Sequence, residues 1–61
     1  MKLKAGVKYI IRFEINNKIL LYTATIIEDN GMLIYFKDKN NKEFTYNKNK
    51  LLSAEEVRYN G

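Results

Sequence analysis

Between Val7 and Ile15 the apolar residues Val7, Tyr9, Ile11, Phe13 and Ile15 occupy odd positions, with mostly polar residues between them. A period of two is the signature of a strand with one buried face. Asn16-Asn17 comes next, and asparagine tolerates the positive φ that a two-residue hairpin turn demands. With that pair as the loop, Phe13 faces Leu20, Ile11 faces Tyr22, Tyr9 faces Ala24 and Val7 faces Ile26. Apolar meets apolar at every step, which selects this register over its neighbours.

Asp29-Asn30-Gly31 predicts a second turn, a three-residue loop with Gly31 as its left-handed residue, followed by a third strand from Met32 to Lys37. In that register Ile26 faces Ile34 and Ala24 faces Phe36, while Leu33, Tyr35 and Lys37 turn outward. A two-residue Asn30-Gly31 turn would instead bury Lys37, at a high desolvation cost. The polar stretch from Asp38 to Lys42 predicts a third turn, and Glu43-Phe44-Thr45-Tyr46 a fourth strand with Phe44 and Tyr46 inward. Asn47 to Lys50 reads as a turn, and beyond it two readings compete. Leu52 to Val57 makes a short fifth strand that pairs with the first and closes a barrel, or Ser53-Ala54-Glu55-Glu56 forms the capping box of a terminal helix. Closure removes two exposed edges and favours the strand. The expected fold is all-β, a small five-stranded SH3-like barrel, with a short 3₁₀ turn or the terminal helix near the C-terminus. Its expected core is Val7, Tyr9, Ile11, Phe13, Leu20, Tyr22, Ala24, Ile26, Ile34, Phe36, Phe44 and Tyr46.

Composition narrows the chemistry. The chain has 61 residues, 46% of them hydrophobic, enough for one small domain over residues 1–61 and too few for a second. It contains neither Cys nor His, which excludes a disulfide framework, a Cys/His zinc site and His acid/base catalysis. The acids are Glu14, Glu28, Asp29, Asp38, Glu43, Glu55 and Glu56. Their placement suggests no carboxylate pair across a cleft, and Glu28, Asp29, Asp38 and Glu43 read as solvated residues beside turns. No glycine-rich phosphate loop, serine nucleophile elbow or Ser-x-x-Lys motif is present, and a barrel of this size fills its interior with its own side chains. The expectation is therefore a protein that is not an enzyme, with no metal and no cofactor. The longest uncharged run, Ile19 to Ile27, is too short and too polar to span a bilayer. Lys8 and Arg12 follow the basic start too closely for a signal sequence. The chain reads as cytoplasmic, with no membrane partner.

Eleven Lys and Arg against seven Asp and Glu give a net charge of +4, a bias toward polyanions. On the expected outer face, Lys8, Ile10 and Arg12 lie beside Thr25, Thr23 and Leu21, with Tyr35 and Lys37 next to them and Leu33 next to Ile27. Basic groups contact phosphates, Thr hydroxyls reach phosphate or base edges, and an exposed Tyr or Leu packs on bases. This predicts a non-catalytic nucleic-acid-binding face: Lys8, Arg12 and Lys37 neutralise phosphates, Thr23 and Thr25 donate hydrogen bonds, and Leu33 and Tyr35 pack on bases or sugars. The same face admits a second reading, in which Ile10, Leu21, Ile27 and Leu33 meet a protein partner or a second copy. Lys37, Lys39, Lys42, Lys48 and Lys50 add local positive charge, serving phosphate contact or protection of strand edges.

The order of short strands, with Gly6 before the first, Asp29-Asn30-Gly31 between the second and third, and Asn47 to Leu52 before the closing strand, resembles the SH3-like and Sm-like barrels. Ala24 stands where the Sm pattern has Gly, Leu33 follows Met32 where a uridine-contacting Asn stands, and Asn47-Lys48 lies near the place of the Arg-Gly pair. Uridine recognition is therefore not carried over. Size, basicity and the face of Arg12, Leu33, Tyr35 and Lys37 are similar to the small basic archaeal chromatin proteins. That resemblance implies minor-groove binding of duplex DNA, ahead of RNA, with little sequence preference.

Overall fold

The computed structural model describes residues 2–58. Five strands, β1 (Lys8–Ile15), β2 (Lys18–Asp29), β3 (Leu33–Lys37), β4 (Glu43–Asn47) and β5 (Leu51–Glu56), form one antiparallel sheet in the order β4-β3-β2-β1-β5. A 3₁₀ turn, Lys48–Lys50, links β4 to β5. The fifth strand is thus a strand and not a Ser53-capped helix, and it pairs with β1 through Ile11↔Ala54 and Arg12↔Ser53. No ladder joins β4 to β5 among the described residues, so the sheet is open between them rather than closed into the expected barrel.

The sheet is nevertheless curled. Three interstrand steps separate β1 from β4 and would span about 14 Å in a flat sheet. The rings of Phe13 on β1 and Tyr46 on β4 lie only 4.9 Å apart. Within the concave side, Phe36 stacks on Phe13 and Phe44 and touches Tyr22 and Tyr46. Leu3, Tyr9, Ile11, Phe13, Ala24, Ile26, Ile34 and Phe36 are buried, with Val7, Ile15, Tyr22, Phe44, Tyr46, Leu51 and Ala54 packed around them. Leu3, outside the expected core, is among the most buried side chains, and Leu20, expected inside, is half-buried.

The β1–β2 register is the expected one, with Tyr9↔Ala24, Ile11↔Tyr22 and Phe13↔Leu20. Asn16 and Asn17 both take positive φ, 52° and 63°, which suits a hairpin turn that follows the right-handed twist of its strands. Before β1, the Val7 N–H donates to Lys4 C=O, while Gly6 N–H and Val7 C=O both bond Ile26. Gly6 sits at φ 82°, and a Cβ there would meet nothing within 4 Å. The demand for glycine is therefore conformational. Gly6→Ala is expected to lower stability by about 1 kcal/mol, read as a lower urea midpoint at unchanged slope.

The β2–β3 register departs from expectation. Ile26 pairs with Phe36 and Thr25 with Lys37, rather than Ile26 with Ile34 and Ala24 with Phe36. A bulge between Ile26 and Glu28 separates these pairs from Glu28↔Tyr35 and Asp29↔Ile34. The loop is three residues, as expected, but runs over residues 30–32 instead of 29–31. The slip is two residues, so Ile34 and Phe36 keep the inner face and Tyr35 and Lys37 the outer one. Its second effect is on the acids. Without the extra residue Glu28 would follow Ile26 inward; with it, Glu28 is exposed and Asp29 turns in.

Candidate nucleic-acid interface

On the outer face, alternate residues of neighbouring strands form cross-strand rows. Lys8, Thr25 and Lys37 share one row across β1, β2 and β3. Ile10 and Thr23 make the next, and Arg12 and Leu21 the one after. Within β1, β2 and β3 these rows hold three cations and two hydroxyls, and two of them run on into a carboxylate, Glu43 opposite Lys37 and Glu55 opposite Ile10. Acids frame them: Glu14 lies beside Ile19, Glu28 beside Tyr35, Glu43 beside Lys37 on β4, and Glu55 beside Ile10 on β5. The Arg12 guanidinium reaches the Ser53 hydroxyl at 3.4 Å. Arg12, Thr23 and Lys37 are exposed, and Lys8 and Thr25 half-buried.

The other two expected contact residues stand apart. The slip at the bulge places Tyr35 opposite Glu28 rather than Thr25, and Leu33 pairs with Asn47 at the end of β3. Both are half-buried. Arg12 and Leu33 thus lie at opposite ends of the face, roughly 25 Å apart along the strands. The structure brings together Lys8, Thr23, Thr25, Lys37 and Arg12; Tyr35, two residues before Lys37 on the same face, borders that group beside Glu28, and Leu33 lies outside it.

Asp29 is not the solvated turn residue that its place beside Asn30-Gly31 suggests. It is buried, 4% exposed, and one carboxylate oxygen accepts from Leu3 N–H at 2.8 Å and from the Lys48 ammonium at 2.7 Å. The other oxygen accepts from Gly31 N–H at 2.9 Å. The clasp ties together the segment before β1, the end of β2 and the 3₁₀ turn. Burial pushes the carboxyl upward, but the Lys48 hydrogen bond, the two amides and the Lys48 charge outweigh it and hold it at about 2. A carboxylate so stabilised is a poor base near neutrality. The only sequence signal for it was the lone apolar Leu3 among lysines at one end and Lys48 at the other.

Asp38, also read as a solvated turn acid, organises its turn: its carboxylate accepts from Asn40 and Lys42 N–H. Beneath the face, Tyr22 and Tyr46 hydroxyls share a 2.6 Å hydrogen bond. Burial, that bond and the nearby Tyr46 and Asp38 push the Tyr22 hydroxyl up to about 12. Among the described residues no group of three or more Asp or Glu is placed to hold a metal ion, and no helix is long and apolar enough to cross a membrane.

No protein-family model, curated protein or solved structure matches the chain. What stands is a small five-stranded antiparallel sheet with a cationic centre on its outer face, and both follow from this chain's own residues.

Proposed function

We propose that this protein is a non-catalytic nucleic-acid-binding module that takes duplex DNA with little sequence preference on the outer face of β1, β2 and β3. The observation that carries the reading is the set of three adjacent rows in which Lys8, Arg12 and Lys37 surround Thr23 and Thr25 on β1, β2 and β3, the carboxylates of these rows, Glu43 and Glu55, standing one strand further out. Lysine ammoniums act on phosphates as point charges, the Arg12 fork engages a phosphate with two donors, and the Thr hydroxyls fix the backbone between them. Leu33 and Tyr35, beyond the cationic rows, would pack on sugars or bases as the strand of nucleic acid leaves them. The resemblance to small basic archaeal chromatin proteins belongs to this proposal and rests on the same face. Cytoplasmic location and the absence of catalysis belong to it too.

Fluorescence anisotropy with labelled duplex DNA, single-stranded DNA and RNA across a salt series tests it. Three neutralised phosphates give a slope of log K against log salt near −3, from roughly −0.9 per phosphate. Replacing Arg12 and Lys37 together with Ala is expected to weaken duplex binding and flatten that slope by about 2. Unchanged affinity in the double variant, or no binding to any of the three nucleic acids at low salt, rejects the assignment.

A further inference from the structure

β2 is much longer than the strand beside it. Lys18 to Ala24 pair only with β1, because the β2–β3 ladder runs from Thr25 to Asp29. In an antiparallel pair, alternate residues exchange both backbone hydrogen bonds with the neighbour and the intervening ones point to the other side. Ile26 N–H donates to Val7 C=O, so the even residues of β2 bond β1. Ile19, Leu21 and Thr23 therefore direct their N–H and C=O groups toward the side that no described strand covers.

This edge has no described strand paired to it, although Asp38 and Lys39 of the β3–β4 turn border the cleft beside Leu21 to Thr23, and such an edge fits another extended strand. Side chains narrow the choice. From Ile19 to Ile27 the strand carries no charge, and Ile19 and Leu21 are 63% and 61% exposed. The sheet's two outer edges differ. Strand β4 presents Glu43, and β5 presents Glu55 and Glu56 side by side. Like charges of that sort oppose self-pairing and guard an edge.

We infer that two copies of this chain pair edge to edge along Ile19 to Thr23 of β2, antiparallel and about a twofold axis at Leu21. In that arrangement Leu21 exchanges both backbone bonds with its own copy, and Ile19 does so with the copy's Thr23. The paired residues Ile19, Leu21 and Thr23 carry no charge, and Leu21 covers Leu21 on the outer face. The pairing goes beyond the nucleic-acid reading and does not depend on it: the joined sheets would set two cationic faces side by side.

The chain's lack of cysteine makes the test clean. Across a twofold at Leu21 the two Cα atoms would lie about 5.5 Å apart, within disulfide range. Under mild oxidation Leu21→Cys is expected to form a covalent dimer, whereas Thr45→Cys, exposed on β4, is expected to stay monomeric. In sedimentation velocity the unmodified protein should double in mass as concentration rises, and Leu21→Lys should remain a monomer with an unchanged circular dichroism spectrum. A single-copy mass at every concentration overturns the inference. So does equal crosslinking of the two cysteine variants, or a Leu21→Lys protein that dimerises as before. Because no nucleic acid is present, the result is independent of the DNA-binding test.

Discussion

Asp29→Ala is expected to unfold much of the protein at neutral pH. The substitution leaves the Leu3 and Gly31 amides without their acceptor and removes the carboxylate that the Lys48 ammonium meets at 2.7 Å. The Leu3 donor is buried, and left without a partner it costs about 1 to 3 kcal/mol; the part-buried Gly31 donor costs less. A chain of this size has only about 3 to 9 kcal/mol of total stability. Lys48→Ala is expected to cost about 3 kcal/mol by the complementary route, a buried carboxylate stripped of its cation. Urea unfolding at pH 7 checks both, and a loss under 1 kcal/mol in each would show that the clasp is dispensable.

The same group predicts an acid limb. The folded carboxyl titrates near 2 against an ordinary value of 3.8, so it is the charged form that folding favours. Its contribution is complete above about pH 4 and is lost as pH falls toward 2. Nearly two pH units correspond to about 2 kcal/mol. Asp29→Asn keeps an acceptor for an amide but cannot titrate, and its stability should therefore fall less between pH 4 and 2. An identical decline in the variant and the parent would assign the acid limb to other carboxylates.

The other large effect is expected at Phe36. This ring is fully buried and has aromatic neighbours on β1, β2 and β4. Truncation to Ala opens a cavity among strands that cannot collapse without uncurling the sheet, at about 3 to 5 kcal/mol. Phe36→Ala should lose cooperative unfolding and near-ultraviolet dichroism. Phe36→Leu, which keeps most of the volume, should stay folded with a loss nearer 1.5 kcal/mol. If the leucine variant is as damaged as the alanine one, ring-to-ring geometry rather than filled volume holds the concave side.

Much of this architecture is legible in the sequence, for identifiable reasons. Asn16-Asn17 sets the first hairpin unambiguously because a two-residue turn leaves no slack and the alternation on both sides agrees with it. Hydrophobic alternation identifies a face but is blind to a slip of two residues. That is why the inner and outer residues of β3 are read correctly while their partners on β2 are not. The bulge sits where the alternation itself fails, at the apolar pair Ile26-Ile27. Everything downstream of that bulge in the site, from the position of Tyr35 to the inward turn of Asp29, inherits the error. The clasp was hidden for another reason: its partners lie 26 and 19 residues from Asp29 in the chain, and no local pattern links them.

Those separations also bear on the order of events as the chain folds. A hairpin can close on local contacts, but the clasp needs two long loops already shut and the bulge already in place before Asp29 meets Leu3 and Lys48. It is therefore expected to form late, after the nucleus has assembled. Weakening it should then speed unfolding in stopped-flow measurements and leave the folding rate nearly unchanged. On that expectation, one carboxylate at the end of β2 would act as a latch on the exit from the native state rather than a guide into it.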